Sequence, residues 1–147
     1  MKIGLVCSQG GHLTEMLCLM DAFEKHEFFF ITYDTPTTKN LKYKKYLTKN
    51  IGTNPKKMLK VFFQTFKIIK KEKPDIIIST GSEIAIPVSF IAKMMHIKII
   101  YIESWCRVKT KSATGRILYF ISNVFLVQWP ELTKKYGKKA LYKGAVI

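Results

Sequence analysis

Apolar residues in this chain fall into short unbroken runs separated by stretches with helical spacing. The runs lie at residues 3–7, 28–33, 76–79, 97–102, 124–128 and 140–142. Runs of this length, rich in Ile, Val and Phe, predict strands buried on both faces, which means a parallel sheet covered by helices. Between the first two runs, Met16, Leu17, Leu19, Met20 and Phe23 predict an amphipathic helix. From Pro55, apolar or small residues recur at Met58, Val61, Phe62, Thr65 and Ile69, the spacing of a long helix. Helices are also predicted over 84–95, over 116–122 and from Pro130. Residues 34–55, rich in Lys, Thr, Pro and Gly, read as a long exposed connection. The alternation of strand and helix, with the right-handed crossover rule, gives an α/β fold with a doubly wound parallel sheet. At 147 residues it forms a single domain, 1–147.

Three turns fall where such a sheet keeps its ligand crevice, beyond the carboxyl ends of the strands. The first is Ser8-Gln9-Gly10-Gly11-His12-Leu13-Thr14-Glu15, between the first strand and first helix, with Thr14 expected near the helix N-cap. The second is Thr80-Gly81-Ser82-Glu83, and the third is Glu103-Ser104-Trp105-Cys106-Arg107. Glycine turns that open helices present unpaired N–H groups and a partial positive charge, and an arginine can pair with phosphate oxygens bidentately. Gly10, Gly11, Thr14, Gly81, Ser82, Ser104 and Arg107 therefore suit a diphosphate. His12 and Glu103 are the ionisable groups placed to act as general base on an attacking hydroxyl. For Glu103, an ion pair with Arg107 explains the residue equally well. The dinucleotide fingerprint GxGxxG and the P-loop GxxxxGK[ST] are both absent.

Composition adds a partner. The formal net charge is +15, and of 25 Lys and Arg residues twelve lie between Lys39 and Lys73, where Glu72 is the only acid. A face so charged meets something anionic. The helix from Pro55 combines that charge with an apolar stripe wider than one core face needs, through Leu59, Phe63, Phe66 and Ile68. Lys56, Lys57, Lys60 and Lys67 with Phe63 and Phe66 therefore read as facing an anionic membrane surface. The most apolar later stretch, 84–95, is broken by Pro87 and Lys93 and is far short of the ~20 residues a membrane span needs. The three cysteines, Cys7, Cys18 and Cys106, have no metal-ligand spacing, so no metal site is expected and the thiols read as reduced. A rival reading is a basic, non-catalytic nucleic-acid-binding module using the 39–73 lysines, with Tyr43, Tyr46, Phe62 and Phe63 as stacking candidates.

The turns also carry a family likeness. Ser8-Gln9-Gly10-Gly11-His12-Leu13-Thr14-Glu15-Met16-Leu17, Thr80-Gly81 with Ile86-Pro87, Tyr101-Ile102-Glu103-Ser104 with Arg107-Val108-Lys109-Thr110, and Val127-Gln128-Trp129-Pro130-Glu131-Leu132 span nearly the whole chain. Together they resemble the acceptor-side, membrane-associated subunits of two-component UDP-N-acetylglucosamine transferases, including relatives in bacterial polysaccharide synthesis. The resemblance implies a Rossmann-like domain corresponding to the N-terminal half of a GT-B glycosyltransferase similar to MurG. It implies a split, inverting transferase acting on a polyprenyl-pyrophosphate-linked saccharide, with the Gly10-Gly11-His12 turn, the Gly81 turn and Glu103-Ser104 lining the acceptor cleft. By the same likeness the UDP-sugar is bound mainly by a small separate subunit in a heterodimer, and this chain holds no cofactor of its own. The segment 130–147, with Trp129, Pro130, Tyr142 and Gly144, is then the partner-contacting surface. Eukaryotic members carry an N-terminal membrane span that is not seen here, so the expected location is cytoplasmic, peripheral on the inner face of the cell membrane. Nucleic acid is not an expected partner on this reading.

Overall fold

The computed structural model describes residues 1–52 and 54–146. Seven parallel strands form one sheet in the order β3-β2-β1-β4-β5-β6-β7. They are β1 (Lys2–Val6), β2 (Glu27–Tyr33), β3 (Lys45–Thr48), β4 (Ile76–Ser79), β5 (Lys98–Ile102), β6 (Val124–Val127) and β7 (Ala140–Tyr142). The helices are α1 (Gly11–Leu17), α2 (Pro36–Lys39), α3 (Pro55–Glu72), α4 (Ala85–Met94), α5 (Ala113–Ile121) and α6 (Pro130–Tyr136), with a 3-10 turn at Met20–Phe23. Central strands are apolar on both sides because both faces are covered: Phe29 and Ile77 point into one core, Phe30 and Ile78 into the other.

The two cores are unequal. On one face α3, α4 and α5 lie side by side and, with α6, bury Val61, Ile69, Val88, Ile91, Leu118, Leu132 and Tyr136 against the sheet. The other face is closed by α1, the 3-10 turn and the C-terminal segment, through Leu13, Met16, Phe23 and Val146. The direction in which successive strands are added reverses at β1, which pairs with β2 on one side and β4 on the other. That is the topological switch point where a crevice opens.

The segment expected as a long exposed connection contains a helix and a strand. Thr35 caps α2 in a reciprocal box with Thr38, which is fully buried, and β3 then pairs Tyr46 with Ile31 and Thr48 with Tyr33. Strand β3 hides from a reading based on apolar runs because it is a short edge strand preceded by lysines, a composition that keeps an edge from pairing with other chains. Helix α5 also begins earlier than residue 116. The Ser112 hydroxyl accepts the Gly115 N–H at 2.7 Å and so starts the helix at Ala113. No described helix is long and apolar enough to cross a membrane.

Candidate active site at the switch point

The turns after β1 and β4 meet across the switch point. Gly10 takes φ +77°, which only glycine adopts readily, and swings the chain from strand into α1. This places His12 over the second turn, where its Nδ1 lies 2.9 Å from the Thr80 carbonyl oxygen while the Thr80 hydroxyl donates to the His12 carbonyl at 2.7 Å. A carbonyl only accepts, so Nδ1 carries the proton and the neutral ring keeps its lone pair on Nε2. A Cβ on Gly81 would come within 2.9 Å of the imidazole, and Gly81 itself holds φ +120°. The histidine ring and the glycine backbone are therefore fitted to each other.

Ser82 follows in the left-handed region at φ 80°, a strained position for a serine, and donates its hydroxyl to Glu83 at 2.7 Å. Burial raises the cost of charge on Glu83. Hydrogen bonds from Ser82, its own N–H and Tyr33, with the nearby charge of His12, outweigh that cost and hold it below the usual carboxylate range. Burial, followed by the Glu83 charge, pushes Tyr33 up to about 12. Gly11 is different again. It lies in the first turn of α1 at ordinary helical φ, and a Cβ there would meet nothing within 4 Å. Neither backbone conformation nor packing within the chain requires glycine at that position.

Thr14 is not at the N-cap, which is Gly10. It lies one turn inside α1, exposed, with its hydroxyl donating back to the Gly10 carbonyl at 3.3 Å.

The β5 side of the crevice is built from buried acids. Glu103 is 0% exposed, and its two oxygens accept five hydrogen bonds. The donors are the Ser104 N–H at 3.0 Å, the Tyr101 hydroxyl at 3.3 Å, the Ser112 N–H at 3.3 Å, the Ser112 hydroxyl at 2.9 Å, and the Tyr136 hydroxyl. Burial and the Glu103 carboxylate together raise the Tyr101 and Tyr136 phenols well above their ordinary range. Glu103, a candidate base by its place in the sequence, is thus a buried acceptor, and it makes no ion pair with Arg107. Arg107 is exposed and has no carboxylate within ion-pairing distance among the described residues.

A second carboxylate, Glu15, is 1% exposed and had no role in the sequence reading. It accepts from the Ser104 hydroxyl at 2.9 Å, the Trp105 N–H at 3.3 Å and Gln128 Nε2 at 2.7 Å. The Ser104 hydroxyl proton is therefore spent on Glu15. Gln128 completes the set: its Nε2 also donates to the Glu103 carbonyl at 3.1 Å, and its Oε1 accepts the Val146 N–H at 2.8 Å. The available signal was an acid inside the apolar stripe of Leu13 and Met16, a place a carboxylate occupies only when it is paired.

Trp129, Pro130, Tyr142 and Gly144 sit at the carboxyl ends of β6 and β7, on the side to which the crevice opens. Trp129 Nε1 donates to the Trp105 carbonyl at 2.6 Å, and the two indoles stack obliquely at 5.6 Å. On α3, Lys56, Lys57, Lys60, Lys67, Phe63 and Phe66 are all exposed. Exposed Phe90 and Met94 on α4 and Ile117 and Phe120 on α5 were not foreseen, and they extend the same helical layer. No described group of three or more His, Cys, Asp or Glu side chains is arranged to hold a metal. Burial pushes Cys7 up to about 12, which leaves it an inert core residue.

Known proteins resemble this chain in sequence and in fold. A sequence profile of the family described as oligosaccharide biosynthesis protein Alg14 like matches residues 39–146. The UDP-N-acetylglucosamine transferase subunit ALG14 of Homo sapiens is 37% identical over 89 residues, covering 56% of this chain and 41% of the human protein. Its Mus musculus counterpart is 28% identical over an alignment covering 100% of this chain and 83% of that protein. Among solved structures, MurG of Acinetobacter baumannii superposes with a TM-score of 0.81 at 16% identity, over 99% of this chain and 46% of that one. At such identity the likeness to MurG is one of fold, a Rossmann-like α/β domain equal to about half of that molecule. The profile match covers most of the sequence, and the chain belongs to the Alg14-like family of oligosaccharide biosynthesis proteins.

Proposed function

We propose that this chain is the acceptor-binding subunit of a split, inverting UDP-N-acetylglucosamine-type transferase. The observation that carries the proposal is His12, held by Thr80 at the switch point with Nδ1 tied and Nε2 free. A base so oriented removes the proton from an acceptor hydroxyl as its oxygen attacks the anomeric carbon of the donor sugar. The new C–O bond forms as the bond to UDP breaks, with inversion, and the proton stays on Nε2. Glu83, ionised beside the histidine, favours the imidazolium formed. The amides of the Gly10-Gly11 turn and the Arg107 guanidinium suit the diphosphate of a polyprenyl-linked saccharide. Glu103 and Glu15 act as positioning residues that fix Ser104, Ser112 and Gln128 behind the crevice. The named relatives are transferase subunits, which supports a second, donor-binding chain seated on Trp129, Pro130, Tyr142 and Gly144. The chain itself is proposed to carry no cofactor.

The same reading places the protein peripherally on the cytoplasmic face of a membrane. Its support is the exposed apolar side chains of the neighbouring helices α3, α4 and α5, namely Leu59, Phe63, Phe66, Phe90, Met94 and Phe120, the last 81% exposed, with exposed Lys56, Lys60, Lys67, Lys93 and Arg116 on the same helices. Large apolar side chains exposed together on one helical layer mark an interaction surface. It counts against the nucleic-acid reading that Tyr46 and Phe62 pack on the core and Tyr43 stacks on Phe30, leaving Phe63 as the one fully available stacking candidate.

The test is a transfer assay with a UDP-sugar panel and a polyprenyl-pyrophosphate saccharide, using this chain, its donor-binding partner and the mixture. Transfer by the mixture alone supports the split enzyme. Full activity from this chain by itself overturns the division of labour.

A further inference from the structure

A concavity outside the crevice has chemistry of its own. It measures about 300 Å³ and opens between the carboxyl end of β3 and the first three turns of α3. Its floor is apolar, with Leu47 from β3 and Val61 from α3, and three lysines line it: Lys49 after β3, and Lys57 and Lys60 on α3. The one acid among its described lining residues, Asp34, is paired with Lys39 at 3.1 Å. None of the three lysines makes an ion pair among the described residues. Like charges from two separate elements converging on one concavity repel each other, and an anion held between them relieves that repulsion.

The geometry points to a binding site for a small phosphate ester, a headgroup whose charged end meets Lys49, Lys57 and Lys60 while its carbon atoms lie on Leu47 and Val61. The volume is at the small end of ligand sites, on the order of 300 Å³, and suits a glycerophosphate-sized group rather than a nucleotide. Helix α3 also bears Leu59 and Phe63, exposed on the adjoining face. A phospholipid is therefore the source that satisfies both surfaces at once, while a soluble phosphate ester satisfies only the cavity. The source, but not the chemistry of the site, rests on the membrane placement proposed above.

The experiment is an NMR amide titration of the full chain with two probes, inorganic phosphate and dihexanoyl phosphatidylglycerol below its micelle concentration. Flotation is run in parallel on phosphatidylcholine vesicles with and without phosphatidylglycerol. Lys57→Gln/Lys60→Gln is compared with Lys70→Gln/Lys71→Gln, which removes the same charge from the same helix outside the cavity. The expected result is saturable shifts at Leu47, Thr48, Asn50 and Val61, weakened at least tenfold by the first pair and little by the second. Tighter binding of the lipid than of phosphate assigns a bilayer source, and equal binding assigns a soluble one. Equal weakening by both lysine pairs, or no saturable shift at the cavity with either probe, overturns the site. Vesicle binding that survives without cavity shifts rejects the site and keeps the membrane surface. Cavity shifts without vesicle binding reject the membrane placement and keep the site.

Discussion

The two sides of the crevice use ionisable groups in opposite ways. On the β1–β4 side, His12 is half-buried, makes one hydrogen bond through Nδ1 and keeps its other nitrogen available. On the β5–β6 side, Glu103 and Glu15 are buried and every strong acceptor position faces a donor from the chain itself. A group that is to take a proton from a substrate needs a free lone pair within reach. A group whose lone pairs are all occupied holds backbone and side chains in place instead. His12 and Glu103, of equal promise in sequence, thus separate into a candidate catalytic residue and a positioning residue, and Glu15 joins Glu103 on the closed side.

The largest expected effect tests the open side. In the assembled transferase, His12→Ala should lower kcat by ~100-fold or more, the range for loss of a general base, with the melting temperature of this chain nearly unchanged. Unaltered transfer would reduce His12 to a turn residue and end the contrast. Glu103→Gln should show the reverse. It places an NH2 among the Ser112 and Tyr136 donors and should cost about 2–4 kcal/mol of stability, read by denaturant unfolding. The folded fraction should keep kcat within about threefold of the parent, a loss below 1 kcal/mol in barrier. A severe kcat loss at full stability would move Glu103 back among the catalytic candidates.

Two glycines sharpen the same comparison. Gly115 lies against Glu103, Tyr136 and Ser112, so a Cβ there collides with the buried network, and Gly115→Ala should unfold the closed side. Gly11 faces open space, and Gly11→Ala should leave the fold intact or stabilise α1 by up to about 1 kcal/mol. The same change should raise the acceptor KM roughly tenfold, because a methyl group then stands where the diphosphate meets the turn amides. An unchanged KM would show that the ligand does not approach Gly11.

How far the sequence reached follows the same division. The strands were legible because both faces of the sheet are covered, so Ile77-Ile78 and Phe29-Phe30 needed no alternation to be read. Strand β3 was not, since its partners lie on one side only and lysines mask it. The crevice was legible through its glycines, for Gly10 and Gly81 declare positive φ. The function of an acid was not, because burial depends on residues far along the chain. Glu15 meets Gln128 from 113 residues away, and Glu103 meets Tyr136 from 33. Glu83 was visible in the second turn, but its link to His12 exists only once β1 and β4 are side by side.

That link gives the smallest effect. Glu83 favours the charged histidine without touching the acceptor, so Glu83→Gln should lower kcat by ~3–10-fold and leave acceptor KM unchanged, a barrier change of about 1 kcal/mol. The pH dependence of stability supplies the second readout. The folded protein holds Glu83 below the usual carboxylate range through Ser82, its own N–H, Tyr33 and His12, against the opposing effect of burial. A lowered value means that the folded state binds this proton less readily than the unfolded chain does. Its stabilisation is therefore complete above the ordinary glutamate range and drains away as pH falls through the lower folded value. Denaturant midpoints measured down through that acid range should fall more steeply for the parent than for Glu83→Gln, and the two curves should converge at the acid end. Parallel curves with an unchanged kcat would mean that Glu83 is only a surface acid, and that His12 acts without a charged neighbour.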